Sequence, residues 1–182
     1  MKTTAITFIV VALLVAGTYF WFEKTHLIST TPLPTQDVMI DYKNATYIIE
    51  GQSVTLVNGR AEAPAAPGSA SKTVTQYFGN ESFGDLNNDG VSDVAFILTQ
   101  DGGGSGTFYY AVAAIKTASG YQGTNAILLG DRIAPQTTQI EYGEAVFNYA
   151  DRAAGEPMTA QPSVGASKYL KVEGLTLEEV KK

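Results

Sequence analysis

The sequence predicts an all-β fold, an antiparallel meander forming a curled sheet, barrel or sandwich, preceded by one N-terminal transmembrane helix. Three observations predict it. From residue 45 onward, short runs rich in Val, Ile, Thr, Tyr and Phe alternate with glycine-bearing turns. No stretch after Phe22 sustains an apolar period of about 3.6. Residues 5–22 form one apolar run, interrupted only by Thr7, Gly17 and Thr18.

Composition narrows the function classes. The chain has 182 residues, 45% hydrophobic and 16% charged, which suits a globular protein. It divides into an N-terminal segment over 1–24, a linker over 25–43 and one β-domain over 44–182. The formal net charge of -6 argues against sequence-independent nucleic-acid binding, which needs Lys and Arg to replace counterions. The absence of cysteine excludes disulfides, thiolate metal sites, cysteine nucleophiles and a lipid-modified N-terminal cysteine. A single histidine, His26, lies in the linker and argues against a histidine triad or a poly-His zinc site.

In chain order, Lys2 and the free amine precede the apolar run. Eighteen helical residues span roughly 27 Å, enough for a bilayer core. Tyr19, Phe20, Trp21 and Phe22 make an interfacial aromatic cluster, followed by Glu23 and Lys24. The run is read as an uncleaved anchor over residues 1–24. A cleaved signal peptide with Val15-Ala16-Gly17 as its small-residue site is the alternative, and it would make the protein secreted or periplasmic. Either way the rest of the chain lies outside the cytoplasm. Residues 25–36, with Thr30-Thr31-Pro32-Leu33-Pro34, read as a tether.

Strands are expected over 46–50 and 53–57, joined at Gly51-Gln52 by a type II′ turn with glycine first. Asn58-Gly59 signals a type I′ turn, and residues 61–71, with Pro64 and Pro67, read as an exposed loop. A strand follows over 72–83. Residues 94–99 are apolar on both faces and read as a central strand. The glycine-rich stretch 101–106 precedes strand-forming residues rather than a helix, so it reads as a hairpin loop and not as a phosphate cradle. Strands over 108–116 and 121–129 flank Ser119-Gly120. A further hairpin turns at Tyr142-Gly143 between 137–141 and 145–149, and 168–172 closes the set. Residues 175–182 fit either a short amphipathic helix or a last strand.

The stretch with the most definite chemistry joins 72–83 to 94–99. Asp85, Asn87, Asp89 and Asp93 stand at alternate or near-alternate positions, and Gly90 follows the third. Oxygen ligands at that spacing, with a glycine where the backbone turns, suit Ca²⁺. Val91 would add a backbone carbonyl. Three clustered carboxylates also repel one another without a counter-charge. An EF-hand would need a bidentate Glu at the twelfth loop position, which is Phe96. The Asp85-Leu86-Asn87-Asn88-Asp89-Gly90-Val91-Ser92-Asp93 stretch instead resembles the calcium loop of FG-GAP and integrin-type propeller repeats. It occurs once, so a propeller is not implied.

A wider resemblance runs through Phe83-Gly84-Asp85, Asp93-Val94-Ala95-Phe96, residues 103–108, Leu129-Gly130-Asp131-Arg132, residues 133–137, Tyr149-Ala150-Asp151-Arg152 and residues 155–158. The chain is similar there to a family of uncharacterised exported or membrane-anchored bacterial proteins. That resemblance implies location and fold, not an activity.

Asp131-Arg132 and Asp151-Arg152 stand out as charged pairs. Neighbours in a strand point to opposite faces, so neither pair need be an internal salt bridge; the alternatives are pairing across strands, or Arg presented to a carboxylate or glycan partner. Glu141, Glu144, Asp151 and Glu156 could supply two carboxylates for glycosidase-like chemistry, an envelope hydrolase. Residues 47–56 and the stretch 163–168 are similar to the first hairpin and protruding loop of small membrane-bound lysozyme inhibitors, which usually carry cysteines. The reading taken forward is a membrane-anchored binding or structural module of the bacterial cell envelope, with an envelope glycan or protein as partner.

Overall fold

A computed structural model describes residues 41–182. The expected anchor, and the tether up to residue 40, lie outside the described residues. Within them the protein is all-β, and every strand pair is antiparallel.

After a 3₁₀ turn over Tyr42–Asn44, β1 (Thr46–Ile49) and β2 (Gln52–Thr55) form a hairpin. Then β3 (Arg60–Pro64), β4 (Lys72–Gly84), β5 (Asp93–Asp101), β6 (Phe108–Thr117) and β7 (Gly120–Gly123) pair in that order. β8 (Ile127–Asp131) pairs with the first half of β6. β9 (Ala134–Glu141), β10 (Glu144–Asp151), β11 (Val164–Glu173) and β12 (Thr176–Val180) make a separate four-stranded meander.

The larger sheet is the middle layer, and alternation along β5 and β6 builds a core on each of its faces. Ala95, Ile97, Ala111, Ala113 and Ile115 pack with Ala145, Phe147, Tyr149, Leu170 and Leu177 of the meander. Val94, Phe96, Leu98, Tyr110, Val112 and Ala114 pack with Ala45, Tyr47, Ile49 and Leu56 of the hairpin. The central-strand expectation for residues 94–99 is met for this reason, since a strand buried on both faces has no polar side.

The hairpin also extends the middle sheet. Ile48 donates to the Thr124 carbonyl at 3.1 Å and accepts from the Ala126 N–H at 2.7 Å. Between β3 and β7, this contact and β1–β2, the chain curls into a nearly closed ring around the second core. The ring stays open between β2 and β3.

Several local expectations are corrected. The first hairpin turns at Glu50-Gly51, both with positive φ (49° and 78°), so it is type I′ with glycine second. Pairing Ile49 with Gln52 keeps Tyr47 and Ile49 on the core face, and a one-residue slip would turn both outward. Residues 60–64 form edge strand β3 rather than a loop, with Pro64 at its end, where a missing N–H is tolerated. The expected strand 121–129 is split into β7 and β8, because Asn125 and Ala126 leave β6 to meet Ile48, while Thr124 stays bonded to Ala113 of β6. The last segment is strand, β12, paired to β11.

Candidate functional site

The acidic loop connects β4 to β5, and the Gly84–Asp93 pair closes their ladder beneath it. Its backbone is shaped by its own polar side chains, as Asp and Asn do in turns. Asp85 accepts from the Asp89 N–H (3.2 Å) and the Gly90 N–H (2.9 Å). Asn87 Oδ1 accepts from the Asp89 N–H at 3.1 Å, and Asp89 Oδ1 from the Val91 N–H at 2.7 Å. Asn87 Nδ2 donates to Asp89 Oδ2 at 2.9 Å. Gly90 has φ 82°, a left-handed conformation that glycine adopts without a steric cost.

Leu86 is the loop's apolar anchor, buried in the core against the meander. Asp93 is its polar anchor. Fully buried, it accepts from the Leu86 N–H (3.0 Å) and the Lys116 N–H (2.8 Å), tying the loop's start to the end of β6. Loss of solvent pushes its carboxyl above the ordinary range, the two N–H donors pull it back, and the nearby Asp89 and Asp85 charges push it up again.

The structure separates the five expected ligands into two groups. Asp85, Asn87, Asp89 and Val91 belong to the solvent-facing part of the loop, partly or well exposed. Asp93 lies beneath, with each oxygen already bonded to a backbone N–H. The donor set is all oxygen, which fits a hard cation in kind, and a carboxylate oxygen that accepts one hydrogen bond retains a lone pair. Among the described residues, no group of three or more His, Cys, Asp or Glu side chains converges as a ready ligand set. None of the ion pairs among those residues reaches Asp85, Asp89 or Asp93.

The loop rests on the β9–β10 hairpin. Gly84 lies so close to Ile140 that a Cβ there would fall 2.6 Å from its Cγ2. A Cβ on Gly143 would lie 3.5 Å from the Asn88 side-chain amide. Tyr142, in the same turn, is fully exposed beside the loop.

The other singled-out residues have structural work. Asp131 and Arg132 do pair with each other, contrary to the strand argument, because Arg132 leaves extended geometry with φ 49°. Arg152 needs no carboxylate. Its guanidinium donates to the carbonyls of Ala160 (2.8 Å), Asp131 (3.2 Å) and Arg132 (3.1 Å), clamping the β8–β9 turn to the loop after β10. Sequence reasoning missed that role, since backbone carbonyls leave no compositional trace. Asp151 and Glu156 accept from the Arg152 and Ala153 N–H groups, and Glu144 pairs with Lys182 at 2.9 Å. The stretch likened to a protruding inhibitor loop is mostly strand, since β11 begins at Val164. Residues 102–107 form the expected connection between β5 and β6. The chain matches no protein-family model, no curated protein and no solved structure.

Proposed function

We propose that this protein is a membrane-anchored, extracytoplasmic β-domain of the bacterial cell envelope that works as a binding or structural module, with a structural calcium ion in the loop over 84–93. One observation carries the calcium reading. Three carboxylates, Asp85, Asp89 and Asp93, share a ten-residue loop with one of them fully buried, and no cationic side chain among the described residues pairs with any of them. Like charges held this close are stabilised by a cation. Asp85, Asn87 and Asp89 would hold it, with the Val91 carbonyl and Asp93 completing the set. Bound, the ion supplies charge neutralisation and order to the connection between β4 and β5, not chemistry on a substrate. The engagement of Glu144, Asp151 and Glu156 in ion pairs and turns favours a binding module over a two-carboxylate hydrolase.

The test is thermal melting of the full chain in EDTA, in millimolar calcium and in millimolar magnesium. Calcium at a hundred times its Kd adds about 2.7 kcal/mol to stability. For a domain of this size the melting temperature should rise on the order of 5–10 °C. Magnesium, which prefers a tighter octahedron, should do much less. Asp89→Ala should remove most of the calcium response and leave the fold intact. A wild-type melt that calcium does not move, with no heat of binding by calorimetry, returns the loop to an ordinary polar turn.

A further inference from the structure

At the opposite end of β4 and β5 from the acidic loop, the ring around the second core is open. The β2 and β3 strands leave the Asn58-Gly59 turn as a hairpin, and Val57 and Arg60 exchange both backbone bonds, at 2.9 and 3.2 Å. The ladder should continue with Thr55 opposite Glu62 and Ser53 opposite Pro64. Neither pair forms. β2 pairs only with β1, and β3 only with β4. Pro64 has no N–H to offer Ser53. The strands diverge instead around a cleft of about 680 Å³.

Both walls of that cleft are unpaired strand edges. In an antiparallel ladder, successive residues point their N–H and C=O alternately toward and away from the partner strand. Ile48 bonds outward to Thr124 and Ala126, so its partner Ser53 also points away from β1, and Thr55 follows by alternation. Arg60 bonds outward to Val57, so Glu62 and Pro64 likewise face the cleft. Two facing rows of backbone groups are matched by another polypeptide backbone and by little else. The lining has no aromatic ring on which a sugar could stack, and no Lys or Arg for a phosphate.

The floor and mouth narrow the chemistry. Ala61 and Ala63 stand opposite Thr75 and Thr73 on the inward face, leaving a shallow floor of small side chains. An inserted strand would direct every second side chain onto it. Glu62 is already compensated by Arg60 and Lys72, at 2.7 Å each. Glu50, at the mouth, accepts from the Tyr110 hydroxyl at 2.8 Å and makes no ion pair among the described residues. We propose that this cleft receives an extended segment of a partner polypeptide, apolar at alternate residues with a basic residue beside Glu50, which pairs with β2 and β3 and closes the ring. The inference is independent of the calcium reading.

The probes are fluorescein-labelled heptapeptides that alternate Thr with Val, Ile or Leu and end in Lys or Gln, titrated into the full chain by anisotropy. Binding should be tighter for the Lys-ended peptides, and Glu50→Gln should erase that preference. The same peptides N-methylated at alternate amides should bind weakly in both methylation registers, since one register blocks the bonds to β2 and the other those to β3. Ser53→Pro removes one edge N–H without touching the β1–β2 bonds and should weaken binding roughly five- to tenfold. Ala63→Trp fills the floor and should block binding outright. Hydrogen exchange should show the Ser53, Thr55 and Glu62 amides unprotected in the free chain and protected with peptide. The inference fails if no peptide binds more tightly than about 1 mM. It also fails if Thr55 and Glu62 are already protected in the free chain, or if either N-methylation register leaves binding unchanged.

Discussion

The side-chain amide of Asn125 forms both hydrogen bonds that a strand would make to Leu177, donating to its carbonyl at 3.0 Å and accepting from its N–H at 2.6 Å. Asn125 lies between β7 and β8, and Leu177 is buried in β12, so one side chain ties the middle sheet to the meander. The same residue stands opposite Ile48 of the hairpin, with its neighbours Thr124 and Ala126 making the backbone bonds to Ile48. Three layers meet at Asn125.

Replacing it should therefore cost more than a surface change. Asn125→Ala leaves the Leu177 N–H and carbonyl unpaired beside the core, a loss of about 1–3 kcal/mol. The melting temperature should fall by several degrees, on the order of 3–10 °C. Asn125→Asp keeps an acceptor but sets an oxygen against the Leu177 carbonyl, so it should be no better than Ala at neutral pH. Urea melts of both variants check this. A loss under about 0.5 kcal/mol for Asn125→Ala would mean that the packing of Leu177, not the amide, joins the layers.

Two glycines report on close approach between layers, and they should differ. A Cβ on Gly123 would stand 2.3 Å from the Thr46 carbonyl oxygen and 2.6 Å from the Tyr47 ring, so backbone blocks it. At Gly84 the obstacle is the base of the Ile140 side chain, with Cγ2 at 2.6 Å and Cβ at 2.9 Å, which a rotamer change cannot clear and only a shift of β9 relieves. Gly123→Ala, with the shorter contact and a backbone atom in the way, should destabilise by roughly 3 kcal/mol or more, and Gly84→Ala by about 2–3 kcal/mol. A loss under about 1 kcal/mol for either variant in denaturant melts would mean that the layers part easily at that point.

The β3–β4 ladder carries a pH signature. Lys72, and then Arg60, hold the Glu62 carboxyl at about 2, below its ordinary range. A depressed carboxylate contributes stability above its unfolded pKa and loses it as pH falls toward the folded value. The window therefore runs from roughly pH 4.5 down to 2. Glu62 and its partners are well exposed, so solvent and salt screen the effect, and the contribution to stability should be small. The titration is the sharper readout. By NMR the Glu62 midpoint should lie well below that of an isolated glutamate, and Lys72→Ala should move it up. A midpoint unchanged by Lys72→Ala would show that the pair does not persist in solution.

Much of the β character was legible because it depends on local pattern. Residues 94–99 read as central from their apolar run alone, Asn58-Gly59 marked a type I′ turn and Tyr142-Gly143 a hairpin turn, and the structure forms both with paired positive φ values. What pattern could not supply was register. Glu50-Gly51 and Gly51-Gln52 are both acceptable turns locally, and only the burial of Tyr47 and Ile49 decides between them. Pro64 read as a loop residue, yet at the end of an edge strand its missing N–H has no consequence inside the sheet.

By itself the sequence determined composition, turn positions and strand-forming runs, because backbone sterics and two-residue alternation act over a few neighbours. It also marked Asp85, Asn87, Asp89 and Asp93 as a clustered set of oxygen donors. Only the tertiary structure decided that Asp93 goes underneath as a buried brace, that Arg152 clamps three carbonyls, and that β2 and β3 part after one pair. Each of these depends on groups brought together from distant parts of the chain. The Lys116 N–H reaches Asp93 from 23 residues away, and Leu177 reaches Asn125 from 52. Long-range pairing of backbone polar groups, required once they are buried, leaves no local signal to read.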